Sequence, residues 1–356
     1  MKLKPLKIGD LIAKVPIIQG GMGVGVSLSN LASAVASCGG IGIISAAQIG
    51  YKEPDFEKSP LEANLRALKN HIKTALSKAK DGIIGVNIMC AANNYDELVK
   101  TSIEAGAQII ISGAGLPTHL PELCKGSNVK IAPIISSDKA ANVIMKLWDR
   151  NYKVAPDAVV YEGPAAGGHL GFKLEDLNNS NYSVEDELTK ILNVIKIYEE
   201  KYNKSIPLIA AGGVYTGTDI AKMLALGVSG VQMATRFVAT EECDAHINFK
   251  MAYVNATLDD IAIVKSPVGM PGRAIMNPFV SKTKEGNIKV TKCYKCITKC
   301  NPATTPYCIT KALINAVEGN LEDALIFCGS NAHRIDKIVS VRELMDELIT
   351  EAESYA

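Results

Sequence analysis

One histidine of this sequence lies among glycines. In the segment YEGPAAGGHLGF, which begins at Tyr161, His169 directly follows Gly167 and Gly168. Glycines put little bulk between an imidazole and a neighbouring molecule. Near neutral pH an imidazole can bind an anion, transfer a proton or polarise a substrate oxygen. We therefore predict that His169 faces a bound ligand, with a loop histidine bonded to the backbone as the alternative.

Two other segments have the composition of a phosphate site. Gly212 and Gly213 lie in AAGGVYTG, and Ala234 and Thr235 lie in QMATRF. Free backbone N–H groups and a helix N-terminus bind oxyanions, and we expect Thr216 or Thr218 to begin that helix. The pattern predicts a phosphate cradle, although glycines also close ordinary tight turns.

A third group of residues is suited to a flat ring. Gly20, Gly21 and Met22, in QGGMGVG, offer a close backbone wall, and Asn87 at the end of an apolar segment offers an amide. The isoalloxazine ring of a flavin meets this requirement. A capping role for Asn87 stays open.

A cysteine cluster lies late in the chain. Five of the nine cysteines follow residue 292, and four of them have ligand-like spacing, namely Cys293, Cys296, Cys300 and Cys308. This spacing is compatible with zinc or an iron–sulfur cluster, with redox-active thiols near lysines, or with reduced structural cysteines. The sequence does not decide whether they bind metal.

The elements that position these residues alternate between strand and helix. Short apolar runs predict eight buried parallel strands: Pro16–Gln19, Gly40–Ile44, Gly82–Ile88, Ala107–Ser112, Lys130–Ile135, Asp157–Glu162, Ile206–Ala211 and Gly230–Met233. The intervening helices are predicted at Leu28–Ser37, Leu61–Lys80, Tyr95–Ala105, Leu116–Lys125, Asp138–Arg150, Val184–Tyr202, Thr218–Leu226 and Glu241–Asn255, with two more at Ile309–Glu318 and Val341–Glu353.

Eight such units favour an α/β fold of the (β/α)8 TIM-barrel type over a doubly wound open sheet. We predict a barrel over residues 1–256 and a C-terminal, cysteine-containing extension over residues 257–356 that packs on it. Insertions at Ala46–Ser59 and Leu170–Ser183 follow strand ends, where active-site lids lie.

Composition narrows the possible partners. The 356 residues include 38 Lys and Arg against 37 Asp and Glu, which gives a net charge of +1. This balance argues against nucleic acid and anionic membranes as partners. We expect a cytoplasmic enzyme acting on a small molecule, with homo-oligomerisation left open.

Five motifs resemble the nitronate monooxygenases, formerly called 2-nitropropane dioxygenases. They are PIIQGGMG, GVNIM, EGPAAGGHLG, IAAGGVYTG and GVQMATRF, in that order, spread over about residues 4–277. The resemblance implies a (β/α)8 barrel with FMN as cofactor and His169 at the catalytic position. The cofactor-binding residues implied are Gly20, Gly21, Met22, Asn87, Gly168, Gly212, Gly213, Gln232, Met233, Ala234 and Thr235.

The resemblance implies oxidation of an alkyl nitronate, with O2 as second substrate and a carbonyl compound and nitrite as products. His169 would position the nitronate charge or deprotonate a neutral nitroalkane. The chain has PAAGGH where the family motif reads EAGGH, which leaves the substrate open. The related flavin-dependent enoyl-acyl-carrier-protein reductases, which use NAD(P)H, are one alternative. A barrel lyase or isomerase acting on a phosphorylated substrate is another, with Glu162 as its acidic candidate.

Overall fold

The computed structural model describes residues 2–178 and 182–355. In chain order the strands are β1 Leu6–Ile8, β2 Leu11–Ala13, β3 Ile17–Gln19, β4 Ile41–Ser45, β5 Ile83–Met89, β6 Ile109–Gly113, β7 Lys130–Ile135, β8 Val159–Glu162, β9 Gly168–His169, β10 Leu208–Ala211, β11 Gly230–Met233, β12 Ile261–Lys265 and β13 Pro271–Ile275. The helices are α1 Ser29–Ser37, α2 Pro60–Ala79, α3 Tyr95–Glu104, α4 Leu120–Leu123, α5 Asp138–Tyr152, α6 Val184–Tyr202, α7 Gly217–Ala225, α8 Thr235–Val238, α9 Ile247–Val254, α10 Pro278–Glu285, α11 Ile309–Val317 and α12 Val341–Ser354.

Eight parallel strands close into a barrel. Their order around it is β3, β4, β5, β6, β7, β8, β10 and β11, and β11 closes the circle by pairing with β3, Val231 opposite Ile17. The strands are apolar along their length because side chains on both faces are buried. The predicted TIM barrel is confirmed.

The barrel has an inner and an outer apolar layer. Inside, isoleucines such as Ile41, Ile83 and Ile109 pack with Leu6 and Ile8 of the β1–β2 hairpin. The hairpin thus contributes side chains to the barrel interior. Outside, the helices from α2 to α6 pack their apolar faces on the strands. This double packing fixes the strand ends, on which the site residues lie.

Two predicted helices are wrong in extent. The helix predicted at Leu116–Lys125 is reduced to α4, and that predicted at Glu241–Asn255 is shortened to α9, with residues 241–246 non-helical. In that segment the Asp244 carboxylate accepts the N–H groups of Leu28 and Leu31 at 2.8 and 3.2 Å. The segment is not helical because Asp244 caps α1. Its partners are distant in the sequence, so helical periodicity does not reveal this contact.

The helix between α7 and α1 comes from the end of the chain. Leu344, Met345 and Leu348 of α12 pack in one cluster with Val35 of α1 and Ile220 of α7. The helix directly after β11, α8, is only 4 residues long. Part of the predicted extension therefore completes the helical ring, and the division after residue 256 stays a prediction.

The rest of the C-terminal segment lies over the barrel mouth. Strands β12, β13 and β9 form a three-stranded antiparallel sheet, in which His169 is opposite Gly272. Residues 179–181 of the second predicted insertion lie outside the described residues. Among the helices that the structure describes, none combines the length and apolarity needed to cross a membrane.

Candidate active site

A cavity of ≈ 290 Å³ lies at the carboxyl ends of the barrel strands. Its floor comes from the loops after β3, β5, β8, β10 and β11, and apolar side chains of the C-terminal segment, such as Leu313 and Phe327, form its cover. His169 and all the residues of the predicted cofactor set line this one cavity. The sequence therefore identified residues that the fold brings together.

One side of the cavity carries backbone N–H groups without protein partners. Within the described residues, the amides of Gly213, Val214 and Ala234 donate to no protein acceptor. Gly212 has a φ of +88°, and a Cβ added there would lie 2.8 Å from the Gly163 carbonyl oxygen. Unpaired amides beside a glycine turn suit a phosphate group.

The start of α7 is capped by Thr216 as expected, but donors of its first turn are not available to a phosphate group. Thr216 is its N-cap, and the Thr216 hydroxyl accepts the Asp219 N–H at 3.1 Å. The N–H of Gly217 and the hydroxyl of Thr218 both donate to the Glu351 carboxylate at 2.9 Å. These first-turn groups are already paired, so within the described residues the free amides on this side of the cavity belong to the loops.

The opposite wall is formed by the loop after β3. A Cβ added at Gly21 would overlap Asn87, and one at Gly20 would lie 3.2 Å from Cγ of Gln232. The Asn87 amide nitrogen donates to the Ile111 carbonyl oxygen at 3.3 Å, which directs this side chain. The backbone at Gly21 thus lies close to the Asn87 side chain. Without side chains at Gly20 and Gly21, this wall of the cavity can accommodate a flat ring.

His169 is fixed by residues from the C-terminal segment. Its Nε2 lies 2.7 Å from the hydroxyl oxygen of Ser266, and its ring makes an edge contact with Phe327 at 4.9 Å between centroids. Burial lowers the pKa of His169 to about 4, because the surroundings disfavour the charged imidazolium. The imidazole is therefore neutral near pH 7.

Arg273 shapes the loop that leads to His169. From β13 its guanidinium donates to the carbonyl oxygens of Pro164 and Ala166. Sequence reasoning missed Ser266, Arg273 and Phe327, because nothing local marks them as neighbours of His169. The Pro- and Gly-rich composition around Arg273 was the available signal.

Glu162 is the last residue of β8, and its side chain lines the cavity. Burial raises the pKa of this carboxyl to about 7. Within the described residues the carboxyl has no hydrogen-bond or ion-pair partner. The cavity lining contains neither lysine nor arginine in the part of the chain that the structure describes. An unpaired carboxyl at a strand end is a candidate for proton transfer.

The described residues of the cysteine segment show no metal centre. Among them, no group of three His, Cys, Asp or Glu side chains is placed so that it could hold a metal ion. Cys293 is exposed, whereas Cys296, Cys300 and Cys308 are half-buried and Cys296 lines the cavity. All four are free cysteines. This arrangement favours reduced thiols.

The sequence itself matches a known family. The sequence matches the nitronate monooxygenase family over residues 4–351, almost the full chain. The chain belongs to the nitronate monooxygenase family. This match includes the C-terminal segment that covers the cavity, so barrel and cover are both part of the family's sequence.

Curated relatives fall into two groups. The probable nitronate monooxygenase of Staphylococcus aureus strain Newman is 28% identical over 297 residues, which cover 78% of this chain and 80% of that protein. The (3aS,4S,5R,7aS)-5-hydroxy-7a-methyl-1-oxo-octahydro-1H-indene-4-carboxyl-CoA dehydrogenase of Rhodococcus jostii is 27% identical over 77% of this chain. The match spans only 66% of that dehydrogenase.

Solved structures agree on the fold. FabK from Thermotoga maritima is 28% identical, with a TM-score of 0.71 over 95% of this chain and 92% of that chain. The nitroalkane oxidase of Streptomyces ansochromogenes has a TM-score of 0.73 over 96% of both chains. At 19% identity, that second likeness concerns the fold alone.

Proposed function

We propose that the protein binds FMN at the barrel mouth and oxidises small alkyl nitronates with O2 to a carbonyl compound and nitrite. The observation that carries the proposal is the presence, in one cavity, of unpaired backbone amides at one side and the neutral imidazole of His169. Membership of the nitronate monooxygenase family supports the same chemistry.

The residues present fit the cofactor. The amides of Gly213, Val214 and Ala234 would bind the phosphate, and Gly21 with Asn87 would contact the ring. When bound, FMN supplies the electron acceptor for the nitronate. The covered, largely apolar cavity lowers the local dielectric, which strengthens each polar contact to an anionic substrate.

His169 would orient the nitronate. The Ser266 hydroxyl oxygen accepts the Val268 N–H at 3.3 Å, so its own proton is free to point at Nε2 of His169. In that tautomer the neutral ring carries its proton on Nδ1 and can donate it to a nitronate oxygen. A hydrogen bond from a neutral donor suits this site because burial disfavours a charged imidazolium.

Reduction of an unsaturated acyl thioester by NAD(P)H is the second candidate. It is favoured by the Rhodococcus jostii relative, whose name describes a CoA-ester dehydrogenase, at 27% identity. That is close to the 28% shared with the Staphylococcus aureus relative. The two functions differ in what reduces the flavin.

Anaerobic reduction of the bound flavin separates them. Purified protein is mixed in parallel with ethyl nitronate, propionate 3-nitronate, NADH and NADPH, and bleaching of the flavin spectrum is followed. We expect bleaching by a nitronate and a much slower reaction with either nicotinamide. Bleaching by NAD(P)H alone would replace the proposal with the thioester reductase, and a purified protein without FMN would contradict both.

A further inference from the structure

We propose that three lysines at the edge of the cavity cover steer anionic substrates into the active site, so that a nitronate with a second negative charge is the preferred substrate. These residues, Lys295, Lys299 and Lys311, are called the rim lysines. The inference rests on the proposed function, because it takes a nitronate as the molecule that enters. It concerns the approach of the substrate and not a step of the reaction.

Positive charge is concentrated in one segment of the cover. Residues 282–311 contain seven lysines and one glutamate but no arginine, histidine or aspartate, which gives this segment a net charge of +6. The whole chain has a net charge of only +1. All seven lysines are exposed. The balanced composition of the chain therefore hides a strongly positive surface.

The rim lysines lie where the cavity lining reaches the protein surface. Lys295 directly precedes Cys296, and Lys311 directly follows Thr310. Both of those neighbours line the cavity. The third rim lysine follows another lining residue, Ile297, by two positions. The rim lysines themselves are not part of the lining, so their charges lie around the cavity and not inside it.

Backbone hydrogen bonds hold this segment at the barrel mouth. The Asn93 N–H donates to the Cys296 carbonyl oxygen at 3.2 Å, and the Thr298 N–H donates to the Ala91 carbonyl oxygen at 3.0 Å. Asn93 and Ala91 belong to the loop after β5, which lies at the carboxyl ends of the barrel strands. The barrel itself therefore sets the position of the rim lysines.

Little negative charge offsets the rim lysines. Within the described residues, no ion pair involves them. On the loop after β4, Glu57 pairs with Lys292. Glu53 and Asp55 of that loop both pair with Arg66. These pairs leave one net negative charge against the three positive charges of the rim lysines, so we expect a positive potential at the cavity entrance.

An anion that enters this cavity depends on attraction from outside. In the part of the chain that the structure describes, the lining contains neither lysine nor arginine. Exposed lysines act through water over about 30 Å at 0.01 M salt, but over only about 8 Å at physiological salt. Such a field changes the rate at which an anion arrives and not the reaction that follows. Because each negative charge multiplies the local concentration once more, a dianion gains the square of what a monoanion gains.

The test compares two nitronates that differ by one charge. Anaerobic reduction of the bound flavin is followed by stopped flow with ethyl nitronate, a monoanion, and with propionate 3-nitronate, a dianion. Each second-order rate constant is measured at low and at high ionic strength. The limiting rate at saturating nitronate is measured as well, since steering should leave it unchanged.

Two triple variants are compared with the wild type. The rim variant combines Lys295→Gln, Lys299→Gln and Lys311→Gln. The control variant combines Lys4→Gln, Lys7→Gln and Lys125→Gln. The control lysines are also exposed, but they precede barrel strands and so lie at the opposite end of the barrel. Both variants lose three positive charges, and only the position of those charges differs.

We expect the second-order rate constant of the rim variant at about 0.01 M salt to fall about threefold for ethyl nitronate and about tenfold for propionate 3-nitronate. At about 0.5 M salt both differences should disappear, because ions then screen the exposed charges within a few ångströms. The control variant should behave as the wild type. Equal falls for the two nitronates, or falls that persist at high salt, would contradict steering, because damage to the cover would act in that way.

A second measurement does not depend on catalysis. Cys293 is exposed and lies two residues before Lys295. Its rate of reaction with the dianion 5,5′-dithiobis(2-nitrobenzoate) is divided by its rate with neutral 4,4′-dithiodipyridine, which removes the intrinsic reactivity of the thiol from the comparison. At about 0.01 M salt this ratio should fall about threefold or more in the rim variant and stay unchanged in the control variant.

The two measurements separate the inference from the proposed function. Absence of flavin reduction by either nitronate, together with a lower thiol-reagent ratio in the rim variant, would contradict the proposed function and leave the attraction of anions standing. Flavin reduction by nitronates with the same rate constants in the rim variant and the wild type would overturn the inference alone. An unchanged thiol-reagent ratio would overturn it as well.

Discussion

His169 and Ser266 join the barrel to its cover. The 2.7 Å contact between Nε2 and the Ser266 hydroxyl links the loop after β8 to a residue 97 positions later in the chain, just beyond β12. The backbone reinforces the link, since β9 pairs with β13. The orientation of the histidine therefore depends on the C-terminal segment, although His169 itself belongs to the barrel loop.

Removing the Ser266 hydroxyl should impair catalysis without releasing the cofactor. In Ser266→Ala the imidazole loses one hydrogen bond, of about 1 kcal/mol, so we expect about a fivefold fall in kcat for ethyl nitronate. Flavin content should not change, because Ser266 is absent from the amide-lined side of the cavity. Ser266→Thr, which keeps a hydroxyl, should recover activity. Equal kcat values for wild type and Ser266→Ala would show that this contact does not contribute to catalysis.

A side chain at Gly212 should block the phosphate side of the cavity. The added Cβ of Gly212→Ala would press on the Gly163 carbonyl and strain a residue at a φ of +88°. Gly126→Ala is the matched control, since Gly126 has a φ of +82° with no atom within 4 Å of an added Cβ. We expect Gly212→Ala to purify with little flavin and the control to keep it. Full flavin occupancy in Gly212→Ala would refute the cradle.

The sequence predicted the barrel and the glycine loops because their signals are local. Continuous apolar runs mark strands buried on both faces, and glycines mark the turns at their ends. Ser266 and Phe327 escaped prediction, because their contact with His169 arises from pairing between distant strands. The helix predicted across Asp244 failed for a similar reason, since that carboxylate caps α1. Local patterns report local structure, and these contacts are not local.

The stability of the cofactor-free protein should respond to pH through Glu162. Burial raises the pKa of its carboxyl from 4.5 to about 7, so the folded state holds this proton more tightly than the unfolded state. The contribution of Glu162 to the free energy of unfolding therefore falls as pH rises from about 4.5 to about 7, because the folded protein must then bury a charged carboxylate. His169, with its lowered pKa, acts in the opposite direction at the acidic end.

In Glu162→Gln this fall in stability at higher pH should disappear, because glutamine does not ionise. We expect the Tm of the variant, relative to wild type, to increase between about pH 5 and about pH 8. Thermal unfolding of both proteins, with FMN removed, gives the comparison. A Tm difference that does not change with pH would mean that the carboxyl has an ordinary pKa.

The cysteines should behave as free thiols of unequal reactivity. Cys293 is exposed, whereas Cys243 and Cys328 are buried and burial raises the pKa of each to about 12. Because the thiolate is the reactive form, a thiol reagent should modify Cys293 first and the buried pair only after unfolding. The denatured protein should show all nine thiols. Zinc or iron near one equivalent per chain would instead establish a metal site.

Glu351 should couple the last helix to flavin binding. From α12 its carboxylate accepts the Gly217 N–H and the Thr218 hydroxyl at 2.9 Å, at the start of the helix that follows the amide loop. Glu351→Ala leaves these donors unpaired, as loss of a helix cap does, and should cost about 1 kcal/mol. The Gly212–Thr216 loop then loses an anchor, so we expect a lower Tm and weaker flavin binding together.

Glu347→Ala is the matched control for that effect, one turn earlier on α12. Glu347 pairs with Arg236 at 2.8 Å but is half exposed, and such surface pairs contribute about 0–1 kcal/mol. It should therefore lower the Tm and the flavin affinity less than Glu351→Ala, as measured by thermal unfolding and by fluorescence titration with FMN. Glu351→Ala could instead bind FMN as the wild type does while its Tm falls. That result would mean that α12 stabilises the barrel without shaping the phosphate-binding loop, and that helix capping and cofactor binding are independent.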